Sequence, residues 1–112
     1  MSSFSEKGLL GELEQLVLLA VLRLGDDAYA VSIRDEIETR TGIALGRGSV
    51  YVTLDRLDRK GYATSWFSDP TPERGGKAKR CFRVTAAGQR ALDAADAARA
   101  RLKPVRAART SR

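Results

Sequence analysis

Between Gly46 and Gly61 the sequence reads GRGSVYVTLDRLDRKG, which places two glycines around Arg47, then hydroxyls at Ser49, Tyr51 and Thr53, then cations at Arg56, Arg59 and Lys60. A guanidinium can fork onto phosphate oxygens or onto the edge of a guanine, and Ser, Thr and Tyr hydroxyls bond to either phosphates or base edges. Glycines ahead of a helix let bare backbone amides approach an anion at the positive end of the helix dipole. A second basic set, Arg74, Lys77, Lys79 and Arg80, surrounds Gly75-Gly76, with Arg83 just beyond Cys81. Both sets suit a polyanion.

Other chemistries find little material. The chain has no histidine and one cysteine, which excludes the usual zinc sites, a Cys/His or Ser/His catalytic pair and an internal disulfide. Carboxylates and lysines occur in no catalytic arrangement, so no metal, no cofactor and no enzymatic activity are expected. The net charge of +6 is uneven: residues 1–46 carry −4, residues 47–83 carry +5, residues 84–98 carry −1 and residues 99–112 carry +6. A basic middle on an acidic scaffold fits a polyanionic partner better than it fits a general solubility device.

At 112 residues, one domain with a modest core is expected. The start is polar and acidic, unlike a signal peptide, and the apolar run Leu16–Leu22 is too short to span a bilayer, so no membrane contact and a cytoplasmic location are expected. Helical periodicity runs from Leu9 to Leu24 with more than one apolar stripe. Leu18 and Leu22, beside Val17 and Val21, predict a second buried face that meets another copy of the chain. Asp27 is a candidate cap for a second helix over about Tyr29–Thr41, ended by Gly42. Val50, Leu54 and Leu57 form the inner stripe of a third helix. That leaves Gly48, Val52, Asp55 and Arg59 outward, Ser49, Thr53 and Arg56 on one shoulder, and Tyr51 between the faces.

After Gly61 the period changes. YATSWF and KRCFRVT read as the strands of a hairpin with a long Pro- and Gly-containing loop, and TAAGQRALDAADAARARLK is a fourth helix capped by Thr85 and broken by Pro104. The fold class is therefore mainly α with a small β-hairpin, a winged helix-turn-helix with a C-terminal helix. Its third helix and hairpin are the parts that meet DNA in such folds. Thr53 and Arg56 are the best candidates for base edges, while Arg59 and Lys60 are backbone contacts or solvated surface.

Each feature alone has a plainer meaning. Gly46 can be a turn residue, Tyr51 a core tyrosine, the basic loop a solubilising loop, and Cys81 and Trp66 packing residues.

GLLGELEQLVLLAVLRLGDDAYAVSIRDEIETRTG, GSVYVTLDRLDRKGYATSWF and RCFRVTAAGQRAL together resemble the PadR family of bacterial transcription regulators, over about residues 9–102. The most specific pieces are Ser49-Val50-Tyr51 leading to Leu54, Leu57 and Gly61, and Val84-Thr85 followed by Gly88. The resemblance implies a homodimeric winged-helix repressor that binds an inverted-repeat operator in double-stranded DNA, with the last helix and the first making the dimer.

The expected organisation is thus a flexible N-terminus at 1–8, a DNA-binding domain at 9–85, a C-terminal dimerisation helix at 86–103 and a basic disordered tail at 104–112. DNA contacts are expected from Arg47, Gly48, Ser49, Tyr51, Thr53, Arg56, Lys77, Lys79 and Arg80, and the dimer interface from Leu18, Leu22, Ala91, Ala95, Ala98 and Leu102. An unidentified small-molecule effector would have to bind at the dimer interface or alter Cys81. The competing expectation is a winged helix that serves as a protein-interaction module without sequence-specific DNA binding.

Overall fold

A computed structural model describes residues 9–69 and 77–104. The elements run α1 (Glu12–Leu24), a 3-10 turn (Gly25–Asp27), α2 (Ala30–Thr41), α3 (Arg47–Arg59), β1 (Ala63–Phe67), β2 (Arg80–Val84) and α4 (Ala86–Leu102). This is the expected order of three helices, a hairpin and a last helix. The expected flexible N-terminus, the basic tail beyond Pro104 and the hairpin tip with Arg74, Gly75 and Gly76 lie outside the described residues.

The core gathers Val17, Leu18, Val21, Ile33, Val50, Leu54, Leu57 and Phe82, all buried. α1 packs against α2, α3, β2 and α4, so its surplus apolar face is taken up within the chain. This corrects the reading of Leu18, which is sealed in the chain's own core and cannot meet a second copy. Leu22, one turn on, does remain exposed, as does Leu19.

β1 and β2 pair antiparallel from Ala63 opposite Val84 to Phe67 opposite Arg80. Beyond the strands, Ser68 N–H donates to Lys79 O at 2.8 Å, so the pairing continues toward the tip. Ala28 and Tyr29 lie along the other edge of β2, where Phe82 N–H donates to Ala28 O at 2.8 Å and Tyr29 bridges Cys81. That contact fixes the start of α2 to the hairpin. Tyr29, not Asp27, is the residue before the first turn of α2, and the polar partner is Ser32. Its Oγ accepts from Tyr29 N–H at 3.0 Å and donates to Asp27 O at 2.6 Å. Asp27 is taken into the 3-10 turn, two residues ahead of the cap position at Tyr29.

Thr85 begins α4 as expected, its Oγ1 accepting from Gly88 N–H at 3.0 Å. The same Oγ1 donates to Gly61 O at 2.6 Å, and Thr85 N–H donates to Tyr62 O at 3.0 Å. Gly88 faces Tyr62 so closely that a Cβ there would lie 2.2 Å from the Tyr62 carbonyl oxygen. Ala91 and Leu92 are buried behind it. Ala91, expected at a dimer interface, is therefore part of the chain's own core, whereas Ala95 and Ala98 are half-buried and Leu102 is 86% exposed.

One buried charge braces α1 against α3. Glu14 Oε2 accepts from Lys60 Nζ at 2.8 Å, and Glu14 Oε1 accepts from Gly11 N–H at 2.8 Å. Lys60, expected on the surface or on a phosphate backbone, is thus a structural cation. Burial pushes the Glu14 carboxyl up, but the Lys60 hydrogen bond, the Gly11 amide and the charges of Lys60 and Arg56 outweigh it and hold the group below its ordinary value of 4.5. A depressed carboxyl stabilises the fold fully above its unfolded-state value and ceases to do so as pH falls through the folded one. The melting temperature is therefore expected to drop on acidification below about pH 4.5, and Glu14→Gln should flatten that drop while lowering stability near neutrality by about 1–3 kcal/mol. Thermal melts across pH 3–7 check this. A wild-type drop left unchanged in Glu14→Gln would remove Glu14 as its source. Glu36, held below its ordinary value by hydrogen bonds from Arg40 and Arg23 against weak burial, keeps part of the drop in the variant.

Candidate nucleic-acid interface

α3 begins without any side-chain cap, because Gly46 has no oxygen to offer. Gly46 has φ −71° and ψ 149°, an ordinary extended conformation, and a Cβ on it would meet only Ser49 Oγ at 3.9 Å. At Gly48 a Cβ would meet nothing within 4 Å. The fold itself has no need of glycine at either position, so the turn reading of Gly46 loses its basis. What the two glycines do provide is an uncluttered approach to the first-turn amides of α3.

The outer face of α3 carries Arg47, Gly48, Ser49, Tyr51, Val52 and Arg56, all exposed. Val52 is 55% exposed, an apolar spot in a polar surface that matches the methyl group of thymine. Thr53 does not belong to this face. It is 2% exposed and its Oγ1 donates to Ser49 O at 2.8 Å. Its inner shoulder position turns the methyl into the core while the hydroxyl is satisfied on its own helix, a threonine habit. The expectation that Thr53 reads a base edge is therefore wrong.

The cations divide into paired and unpaired. Arg59 bonds Asp55 at 2.9 Å on its own helix, Lys60 bonds Glu14, and Arg83 bonds Asp26 at 3.0 Å while stacking 4.6 Å from the Trp66 ring. Arg80 is the most heavily engaged. Its Nε donates to Ser65 Oγ at 3.2 Å, one terminal nitrogen to Tyr51 Oη at 2.9 Å and the other to Asp58 Oδ2 at 3.1 Å. Burial opposes its charge, but Tyr51 and Asp58 outweigh that and raise its pKa. Arg80 was expected to bind DNA directly, and its geometry instead directs every guanidinium nitrogen into the chain. Among the described residues, Arg47, Arg56 and Lys77 have no side-chain hydrogen bond or ion pair, and Lys79 only covers the Tyr29 ring at 3.7 Å.

Sequence reasoning missed the acceptors Asp55 and Asp58 as partners of the hairpin, and missed Tyr29 and Val31. These last two, with Ala30, Tyr51, Lys79 and Arg80, line a shallow pocket of about 250 Å³ between α2, α3 and the hairpin. The i to i+4 spacing of Asp55 and Arg59 was a usable signal. Nothing local marks Asp58 and Arg80, 22 residues apart, as a pair.

Among the described residues no helix is long and apolar enough to cross a membrane.

A family model described as the transcriptional regulator PadR-like family matches residues 18–94, more than half of the chain. Several solved structures share the fold. A PadR-like transcription factor from Bacteroides fragilis is 22% identical with a TM-score of 0.66, covering 87% of this chain and 85% of that one. A PadR-family regulator from Eggerthella lenta is 26% identical with a TM-score of 0.63, covering 81% and 79%. The ORC1 protein of Aeropyrum pernix, solved in complex with DNA, is 24% identical with a TM-score of 0.62, covering 88% of this chain and 27% of that one. No curated protein matches the chain.

Proposed function

The chain belongs to the PadR-like family of transcriptional regulators, and from that premise we propose that it is a homodimeric repressor that binds an inverted repeat in double-stranded DNA. The observation that carries the reading is the coincidence of an uncapped α3 start opened by two glycines the fold does not need with exposed Arg47 and Arg56 on α3 and exposed Lys77 on the hairpin, which have no side-chain hydrogen bond or ion pair among the described residues. Arg47, Ser49 and the first-turn amides of α3 suit phosphates, Arg56 suits a guanine edge or a phosphate, and Val52 suits a thymine methyl. Lys77 and Lys79 carry the hairpin's charge to the flanking backbone.

Two such faces must be paired to read an inverted repeat, with the α3 helices about 34 Å apart. Exposed Leu22, half-buried Ala95 and Ala98, and exposed Leu102 are the side chains left for that pairing once Leu18 and Ala91 are assigned to the core. Repression follows where the operator overlaps a promoter, because the bound protein then excludes the polymerase.

Selection of bound fragments from random duplex by the purified protein tests the reading. Enrichment of a two-fold sequence is expected. Gly48→Ala should keep or raise stability by up to about 1 kcal/mol, because alanine favours helix, and yet weaken binding to the selected duplex. No enriched sequence, or a Gly48→Ala protein that binds as well as the parent, would overturn the reading.

A further inference from the structure

We propose that Arg80 is a positioning residue, which locks the hairpin to α3 at a set separation and touches no phosphate itself. The inference rests on the DNA-binding reading above and concerns how its two contact surfaces are held in register. A two-stranded hairpin is marginal by itself and needs a packing partner to keep one orientation. Phe82 and Ala63 anchor the base of the hairpin in the core and Ala28 pairs with one edge of β2, while on the α3 side one guanidinium ties both strands down. Arg80 on β2 donates to Ser65 on β1 and to Tyr51 and Asp58 on α3, with Asp55 Oδ1 also 3.8 Å away. Asp58 accepts from Ser65 Oγ at 3.3 Å as well, closing a ring of bonds around the junction. The guanidinium carbon lies 5.0 Å from the Phe82 ring centre, and the side chain is only 23% exposed. A planar five-donor group with fixed directions suits this task, and a lysine would satisfy fewer of the acceptors.

The arrangement also prepares Tyr51. Its hydroxyl oxygen accepts from Arg80, which leaves the phenolic proton for an outside acceptor, and the ring stands 47% exposed on the face beside Lys79. Arg80 thus acts on the duplex through Tyr51 and by pre-ordering the hairpin, whose Lys77 and Lys79 still reach phosphates in its absence but at the added cost of ordering the hairpin on binding.

Binding constants for a selected duplex over a salt series separate positioning from contact. Arg80→Met is expected to weaken binding about tenfold with an unchanged dependence of log K on log salt, whereas Lys77→Ala should reduce that slope by about 0.9 per protomer. Asp58→Asn supplies the decisive sign. It removes a negative charge at the junction of α3 and the hairpin, which by charge alone would tighten binding to a polyanion, yet it is expected to weaken binding about as much as Arg80→Met, and the double variant should be no weaker than either single one. If Arg80→Met does not fold, Asp58→Asn alone decides. A slope that falls by about 0.9 per protomer in Arg80→Met, or tighter binding by Asp58→Asn, would overturn the inference while leaving the DNA-binding reading intact. Failure of the parent protein to bind any duplex would overturn both.

Discussion

Gly88→Ala is expected to destabilise the chain by about 3 kcal/mol, even though alanine is the better helix former by about 1 kcal/mol. The added Cβ would sit 2.2 Å from Tyr62 O and 2.9 Å from Val84 Cγ1. The Val84 methyl can yield by a rotamer change, but the Tyr62 carbonyl is backbone. It is also the acceptor for Thr85 N–H, so moving it breaks the bond that starts α4. Relief must come from lifting α4 away, which exposes Ala91 and Leu92. Chemical denaturation of the variant measures the loss. A control substitution at Ala86, which is exposed at the first position of α4, should have little effect. An unchanged or raised midpoint in Gly88→Ala would mean that the close contact is not maintained in solution. Because α4 also carries Ala95, Ala98 and Leu102, the same substitution is expected to weaken self-association and with it DNA affinity.

Joint replacement of Arg47, Arg56, Lys77 and Lys79 by alanine should have the largest effect on binding. A dimer would lose up to eight phosphate-facing cations, which corresponds to a fall of about 7 in the magnitude of the salt slope and about 10³-fold or more in affinity at moderate salt. Stability should change little, since Arg47 and Lys77 have no side-chain hydrogen bond or ion pair among the described residues, Arg56 acts on Glu14 only through its charge, and Lys79 gives up only a cation–π contact worth about 0.5–1 kcal/mol. Arg59→Ala is the matched control. Its charge is spent on Asp55, and removal of a paired cation at that place should alter binding by much less. If the fourfold variant bound duplex like its parent, the basic face would not be a DNA surface and the protein-interaction reading would take its place.

Much of the fold was legible because period and residue type agreed. Val50, Leu54 and Leu57 mark one face of α3, and the change to aromatic and β-branched residues after Gly61 marks β1 and β2. Helix boundaries shifted where caps were indirect, as at α2, where Ser32 within the first turn did the work expected of Asp27. The site was harder to read, because side-chain type does not reveal where a group's bonds go. Thr53 and Arg80 have the right chemistry for DNA, but one hydroxyl is satisfied by Ser49 O and one guanidinium by residues 15, 22 and 29 positions distant. Leu18 looked like an interface leucine because a helix wheel counts apolar faces without knowing that β2 and α4 return to cover the second one.

The joint made by Thr85, with one hydroxyl on Gly61 O and Gly88 N–H and its own amide on Tyr62 O, ties the end of α3 directly to the start of α4. In mechanical terms the reading helix and the last helix form a bell crank. α4 is about 26 Å long at 1.5 Å per residue, so in a dimer paired through α4 a tilt of about 5° at the contact would become a displacement of about 2 Å at the other end of the lever. A molecule that altered the crossing of two such arms would retune the distance between reading heads without ever approaching the duplex.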